Sequence, residues 1–298
     1  MISSHDLRLL GEMRTGFLNA AHGLDDYWKT PSHLGIYDQF FAGRIGWKWL
    51  AVLVELQHLG FSPTSTHLVD WGCGTGMASR CFLDSFPNIS TLTLHDRSPL
   101  AVRFASEKIR QTHPLPTLLP WTSPQPPGAT YLISHVINEL TPQALEELIE
   151  VLIARAESIL WVEPGTHLAS HQLIAVRQRL LAHFSILAPC PHAGVCGLLT
   201  TENAPHWCHH FTRPPSWVHH DPAWSAFARE LVIDLSSVPY SYLVLSKRPL
   251  PLPHERSLGR PRFFKGHAKL FTCEAAGVSE KTITKSEDPA RLKSLRKW

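Results

Sequence analysis

Apolar and polar positions along this chain follow two alternating periods. Residues 5–20 and 33–58 read as helices, and in the second Phe40, Phe41, Ile45, Trp49, Val52 and Leu56 recur near helical spacing. Ser62-Pro63-Thr64-Ser65 breaks that pattern, and a short apolar strand follows at 67–71. A helix at 77–86, a strand at 90–95 and a helix at 98–111 continue as βαβα. Prolines 114, 116, 120, 124, 126 and 127 leave room for a short strand at most. Thr130 to Val136 reads as a buried strand. Thr141 is an N-cap with Pro142 at the first helical position, and that helix runs to about Ala156. Ile159 to Val162 forms a fifth strand, and 166–183 a helix with Arg177 and Arg179 on its exposed side. Such alternation implies an α/β, mostly parallel, doubly wound sheet whose ligand lies at the strands' carboxyl ends near the switch point.

The pattern stops at Ala188-Pro189 and resumes near Glu230. Leu231–Leu235 and Tyr240–Leu245 then read as two strands joined by a tight connection, an antiparallel edge pair. Five segments result: an N-terminal helical segment (1–62), an α/β core (63–187), a Cys- and His-rich insertion (188–228), the last strands of the core sheet (229–248) and a C-terminal extension (249–298). The insertion has few aliphatic residues and is expected to need something other than a hydrophobic core to hold it.

With 298 residues, 44% of them hydrophobic, the chain has ample material for a core. No apolar run approaches the roughly 18 residues of a membrane helix. The first residues lack the apolar stretch of a secretory signal, and Asp6 and Glu12 argue against a transit peptide, so a soluble protein of a reducing compartment is expected. Six cysteines in such a place are not a disulfide framework. The net charge of +3 conceals an asymmetry: residues 247–298 hold 13 Lys and Arg against 5 Asp and Glu. The first 246 residues hold 15 and 20, so a neutral-to-acidic body carries a basic tail. A polyanion, nucleic acid above all, is the partner such a tail suggests, and a merely solvated tail is the alternative.

Candidate chemistry begins at His67–Gly76. The apolar pair Leu68-Val69 leads into Asp70 and then Gly72, Gly74 and Gly76 at alternate positions; the next strand ends on Asp96. Alternating glycines let the backbone turn out of a strand and approach a ligand closely. An acid closing the next strand can accept hydrogen bonds from ribose hydroxyls. The third glycine comes too early for the dinucleotide spacing G-x-G-x-x-G. The arrangement resembles the S-adenosylmethionine loop of the methyltransferase fold, with Asp70, Gly72, Gly74, Gly76 and Asp96 as cofactor-binding candidates.

Cys190, Cys196 and Cys208 lie in the core-poor insertion and Cys273 in the basic tail, with gaps of 5, 11 and 64 residues. A metal could supply the folding free energy that burial does not. The closely paired knuckles of structural zinc sites are absent, so four thiolates fit an iron–sulfur cluster at least as well. A Cys3His zinc site remains open because His192, His206, His209 and His210 are near in sequence. Ordinary buried cysteines are the bland alternative, and packing is the expected role of Cys73 and Cys81.

Further pieces make a resemblance specific: SHVINEL (134–140), VEPGT (162–166), APCPHAGVC (188–196), WCHHF (207–211) and GRPRFFKGHAKLFTC (259–273). With DWGCGTG they resemble, in order, the methyltransferase-like family of the mitochondrial small ribosomal subunit, of which this looks like a shorter, bacterial-type member. The resemblance implies a Rossmann-like methyltransferase fold with a 4Fe–4S cluster on Cys190, Cys196, Cys208 and Cys273. It implies action at small-subunit ribosomal RNA or a pre-ribosomal particle; a monomer away from the ribosome, with no membrane partner, is expected. A bacterial-type cytoplasm is expected rather than a mitochondrial matrix. The chain departs from the family at Gly197, where proline is usual, at the extra His210, and at Ser236-Ser237-Val238-Pro239.

Methyl transfer needs chiefly positioning, with a base only where the acceptor must lose a proton. Asn138 and Glu139, expected at the end of the fourth strand, are the candidates for acceptor contact; His135 and Glu163 are expected to be structural. The Asn-Pro-Pro-Tyr-type motif of amino-group methyltransferases is absent, as is a radical-type cysteine loop, so a metal would be structural. Three functions follow: an S-adenosylmethionine-dependent RNA methyltransferase, a non-catalytic assembly factor, or a zinc-stapled methyltransferase of small molecules.

Overall fold

The computed structural model describes residues 2–19, 28–122 and 125–296. Ala20 of the first predicted helix, Pro124 of the proline-rich stretch and Lys297 and Trp298 of the basic tail lie outside them. The N-terminal part is α1 (Ser4–Asn19), α2 (Pro31–Tyr37), a π-helical turn at Asp38–Ala42 and α3 (Gly43–His58). The core follows as β1 (His67–Trp71), α4 (Met77–Ser85), β2 (Thr91–His95), α5 (Pro99–Thr112), β3 (Thr117–Leu119), β4 (Ala129–Ser134), α6 (Pro142–Arg155), β5 (Ala156–Pro164), α7 (His167–Leu180) and β6 (Ser185–Ala188). Beyond it come β7 (His210–Thr212), α8 (Pro222–Glu230) and β8 (Val238–Ser246). The chain ends in β9 (Glu255–Phe264), β10 (His267–Glu274), β11 (Gly277–Thr284) and α9 (Pro289–Leu295).

Helix starts are set by local chemistry. The side chains of Ser98, Thr141, Thr166 and Asp221 accept hydrogen bonds from the first free amides of α5, α6, α7 and α8. Pro99, Pro142 and Pro222 stand just inside three of those helices, where a missing N–H costs nothing.

The main sheet runs β3-β2-β1-β4-β5-β8-β6, with β7 also pairing β8. β1 pairs in parallel with β2 and β4, β2 with β3 and β4 with β5, whereas β8 runs antiparallel to β5, β6 and β7. On one face Trp49, Leu56, Phe82 and Ile109 from α3, α4 and α5 pack against Leu68, Leu132 and Leu160. On the other, Leu148 and Leu152 of α6 and Leu173 and Leu180 of α7 cover Tyr131, Trp161 and Leu245. Burial on both faces explains the near-continuous apolar runs of the strands. This is the α/β, Rossmann-like methyltransferase fold with a mixed sheet. The strand order reverses at β1/β4, which puts the ligand crevice at their carboxyl ends.

Two expectations about the sheet are corrected. Leu231–Leu235 is not a strand: it closes α8, with Leu231 buried and Val232 exposed at a φ of 51°. Its alternation comes from a helix cap. Tyr240–Leu245 pairs instead with β5 along one side and, on the other, with β6 at one end and β7 at the opposite end, neither of which the sequence pattern disclosed, and the reversed strand β8 is interior, not at an edge. Likewise the second half of the insertion does have a core. Val218, Trp224 and Phe227 join Leu10, Phe40 and Trp47, and Phe40 stacks on Phe227 with ring centres 4.9 Å apart. Aromatic rather than aliphatic side chains supply this burial.

The basic C-terminal segment folds as a three-stranded antiparallel sheet, β11-β10-β9, backed by α9. Its own core is small: Ala268, Leu270, Ile283, Leu292 and Leu295. No helix among the described residues is long and apolar enough to cross a membrane.

Candidate functional site

At the carboxyl end of β1 the chain turns through Gly72, Gly74 and Gly76, each with positive φ (73°, 51° and 75°). The amides of Gly72 and Cys73 donate to the carbonyl of His95, tying the turn to the end of β2. A Cβ on Gly72 would meet Val136 Cγ1 at 2.5 Å, so the loop after β4 closes directly over it. A Cβ on Gly74 would meet nothing within 4 Å and would point into open space. Here, then, the backbone itself faces a potential ligand. Asp96 steadies it: Oδ2 accepts from the Gly74 amide at 2.9 Å and Oδ1 from that of Ser98 at 2.9 Å.

Asp70 lies beneath this loop, fully buried, where its Oδ2 accepts from the Ser79 hydroxyl at 2.6 Å and the Ser79 amide at 3.3 Å. It anchors α4 to the loop from below. Burial pushes its carboxyl up to about 7, against the lowering effect of the Ser79 hydrogen bonds.

Beyond β4, His135 adopts a φ of 58° and its Nε2 lies 3.0 Å from Lys48 Nζ. Burial drives Lys48 down to about 7 and His135 well below its usual range. Glu163 supports the turn that follows β4. Its Oε1 accepts from the amides of Val136 and Ile137 at 3.1 Å and from Trp161 Nε1 at 2.6 Å, fixing the loop that covers Gly72. Asn138 and Glu139 do not end the fourth strand. They lie in the turn four and five residues beyond Ser134 because the Glu163 bonds pull the chain out of the sheet. Glu139 faces Arg97 at 3.4 Å, while Asn138 Oδ1 is buried with no hydrogen-bond partner among the described residues.

A second centre lies where the two sheets meet. Cys190, Cys196, Cys208 and Cys273 all line one cavity of about 40 Å³, walled by Leu173 and Ile174 of α7, Leu243 of β8 and Leu258 of β9. Every cysteine in the structure is free. Burial pushes the Cys208 thiol well above its usual range, and the other three cysteines push it further; Cys273 is raised to about 12 by burial and by Cys190 and Cys196. Cys273 Sγ stands 3.6 Å from His192 Nε2, and Cys208 Sγ 3.7 Å from His210 Nε2. Among the described residues, no three His, Cys, Asp or Glu side chains converge as ligands of a single metal ion.

Two arginines complete the cavity, and sequence reasoning missed both. Arg177, expected on the exposed side of its helix, is 2% exposed. Its Nε donates to Cys190 Sγ at 3.3 Å, Nη2 to the carbonyl of His192 at 2.7 Å and Nη1 to that of Gly194 at 3.0 Å. Periodicity read it as a surface charge; three acceptors on the following loop make its burial tolerable. Arg256 of β9 donates to Glu55, to Tyr242 and to the Pro189 carbonyl at 3.3 Å, while Tyr242 donates to Glu55 Oε2 at 2.6 Å. No local pattern announced a bond between residues 201 positions apart.

Among solved structures, magnesium protoporphyrin IX methyltransferase (ChlM) from Synechocystis with bound SAH is 12% identical, with a TM-score of 0.42 over 82% of this chain and 100% of its own. Precorrin-6y C5,15-methyltransferase from Geobacter metallireducens is 15% identical, with a TM-score of 0.41 over 67% and 87%. A SAM-dependent methyltransferase from Aquifex aeolicus is 14% identical, with a TM-score of 0.39 over 55% and 93%. No curated protein matches the sequence. A family model does match, over residues 50–297. The chain belongs to the family described as mitochondrial small ribosomal subunit Rsm22.

Proposed function

We propose that this protein binds S-adenosylmethionine on the glycine loop and acts at small-subunit ribosomal RNA, with a 4Fe–4S cluster held by Cys190, Cys196, Cys208 and Cys273. The single observation that carries the cluster is the meeting of four free thiols from three separate stretches of chain in one cavity. At about 40 Å³ the cavity exceeds the roughly 10–15 Å³ that one water needs, so it has room for more than one atom. Apolar walls and the nearby Arg177 guanidinium suit a buried anionic centre, since four thiolates without a cation would repel. Bound there, the cluster would join the insertion to β10 as a structural clamp.

The glycine loop fits the cofactor on independent grounds. The Gly74 position opens onto space, the Asp96 carboxylate stands beside it on the Gly74 amide, and Asn138 Oδ1 in the adjoining turn lacks a partner among the described residues. S-adenosylmethionine supplies an electrophilic methyl group; Asp96 would orient the nucleoside, and the Asn138 turn would border the acceptor. Family membership favours the small ribosomal subunit as the place of action, as methyltransferase or as assembly factor. Because that family is described as mitochondrial, the expectation of a bacterial cytoplasm is weakened. A zinc site is the second reading, favoured by the approach of His192 to Cys273 and of His210 to Cys208.

Anaerobic purification followed by iron, sulfide and zinc analysis, with S-adenosylmethionine calorimetry on the same sample, tests both centres. The proposal expects about four iron and four sulfide per chain and saturable cofactor binding lost in Asp96→Ala. Zinc without sulfide would replace the cluster, and an absence of cofactor binding would remove the methyltransferase reading. Transfer of a labelled methyl group to small-subunit RNA separates the enzyme from the assembly factor.

A further inference from the structure

A large cleft opens away from both centres, between the β7/β8 edge of the main sheet and the C-terminal sheet. Its volume is about 820 Å³, and Phe211, Arg213, His219, Ser237, Arg260 and Phe263 line it. Among the described residues no Asp or Glu lines it, although Asp234 lies within electrostatic reach of Arg260. Local backbone geometry builds one wall. Between Arg262/Lys269 and Leu258/Phe271 the pairing of β9 with β10 shifts, so Gly259, Arg260 and Pro261 oppose Leu270 alone. Such a bulge re-aims side chains out of the ladder. Gly259 takes a φ of 65° and its amide donates to the His209 carbonyl at 2.9 Å, which fixes the bulge to the core. As a result the Arg260 guanidinium lies over the Phe211 ring at 4.4 Å, and Phe263 is left 45% exposed.

We infer that this cleft binds unpaired RNA, with a base stacked on Phe263 and the backbone phosphates drawn to Arg260 and its neighbours. An exposed aromatic ring in one cleft with a guanidinium that already sits over another ring is the combination that single strands use. Base–aromatic stacking tolerates any sequence, while the cations follow the phosphates. A duplex offers only its phosphates here, because its base faces are already stacked. The inference rests on the reading of the chain as an RNA binder and assigns that binding to a particular surface.

The test is fluorescence anisotropy on the whole, metal-loaded protein, using a labelled oligouridylate of roughly 12 nucleotides and a hairpin duplex of similar charge. The single strand should bind more tightly than the duplex. Phe263→Ala should weaken it about tenfold with an unchanged salt slope, and Phe263→Tyr should restore it. Arg260→Gln should weaken it and lower the salt slope by about 0.7. Melting curves matching the wild type establish that these exposed substitutions leave the fold intact. If the wild type binds the single strand and both Phe263→Ala and Arg260→Gln bind it equally well, the cleft is not the site, and the RNA-binding reading survives without it. If the wild type binds neither RNA, both fall together. Displacement of the oligonucleotide by polyglutamate at equal charge would make the cleft a general polyanion surface and overturn the RNA assignment.

Discussion

Asp70 has no contact with solvent, yet it is the acid the sequence places beside the glycines. Its carboxyl is raised from an ordinary 3.8 to about 7. A raised folded-state value means that its contribution to stability is full below about pH 4 and is lost as the pH rises through 7. Glu163, also raised to about 7, acts in the same direction; Lys48, lowered to about 7, acts oppositely, its contribution being lost as the pH falls through 7 from above. Asp70→Asn isolates the first effect. Its melting temperature should sit near wild type at pH 5 and above it at pH 8, by a difference on the order of a few kcal/mol in stability. Parallel melting curves across that range would mean that the carboxyl stays charged without cost. Gly197 carries a second prediction at this scale. A Cβ there would stand 2.9 Å from the Val278 amide of β11, so glycine at this position lets that strand approach the Cys196 loop. Gly197→Ala should destabilise by roughly 1–3 kcal/mol in thermal melts.

At the scale of elements, the sequence was most legible where one residue has one local job. Thr141-Pro142 and Thr166 start helices because a hydroxyl and a missing N–H suit those positions, and the glycine turn follows from its spacing. It failed where partners are remote. β6 has only four residues and no alternation to reveal it, and the 231–235 run copies a strand because a helix ends there on an exposed valine. Arg177 failed for the same reason, since its acceptors belong to a loop after the next strand. It organises that loop. Arg177→Met keeps much of the buried stem but leaves the carbonyls of His192 and Gly194 without their donor. A loss on the order of 3 kcal/mol is expected, together with reduced iron retention after identical reconstitution. Full iron content and an unshifted melting curve would show that α7 merely lies alongside the cysteine loop.

For the molecule as a whole, charge asymmetry was visible in the sequence but its use was not. Many of the tail's cations are spent within the fold: Arg256 on Glu55, Arg262 and Lys269 on Glu280, Lys281 and Arg291 on Glu255. Arg260, which lines the cleft, and Lys265, Lys293 and Arg296 remain exposed. That sheet has a five-residue core, too small to hold it in place alone. Its junction with the main fold is a second small cluster in which Cys196, Cys208 and Cys273 pack with Ile174, Leu198, Leu258, Phe271 and Val278. Sulfur thus makes up much of the apolar contact, and a shared inorganic centre would add bonds across the junction that packing cannot supply. Cys273→Ser should therefore loosen the C-terminal sheet while leaving the glycine loop, on the main sheet, able to bind S-adenosylmethionine. Limited proteolysis should cut the variant faster between residues 247 and 254, the segment joining β8 to β9. RNA affinity at matched salt should fall, because the cleft loses one wall. Unchanged cleavage and unchanged RNA affinity in a variant shown to lack iron would mean that the Arg256–Glu55 pair and the small cluster hold the two sheets together unaided.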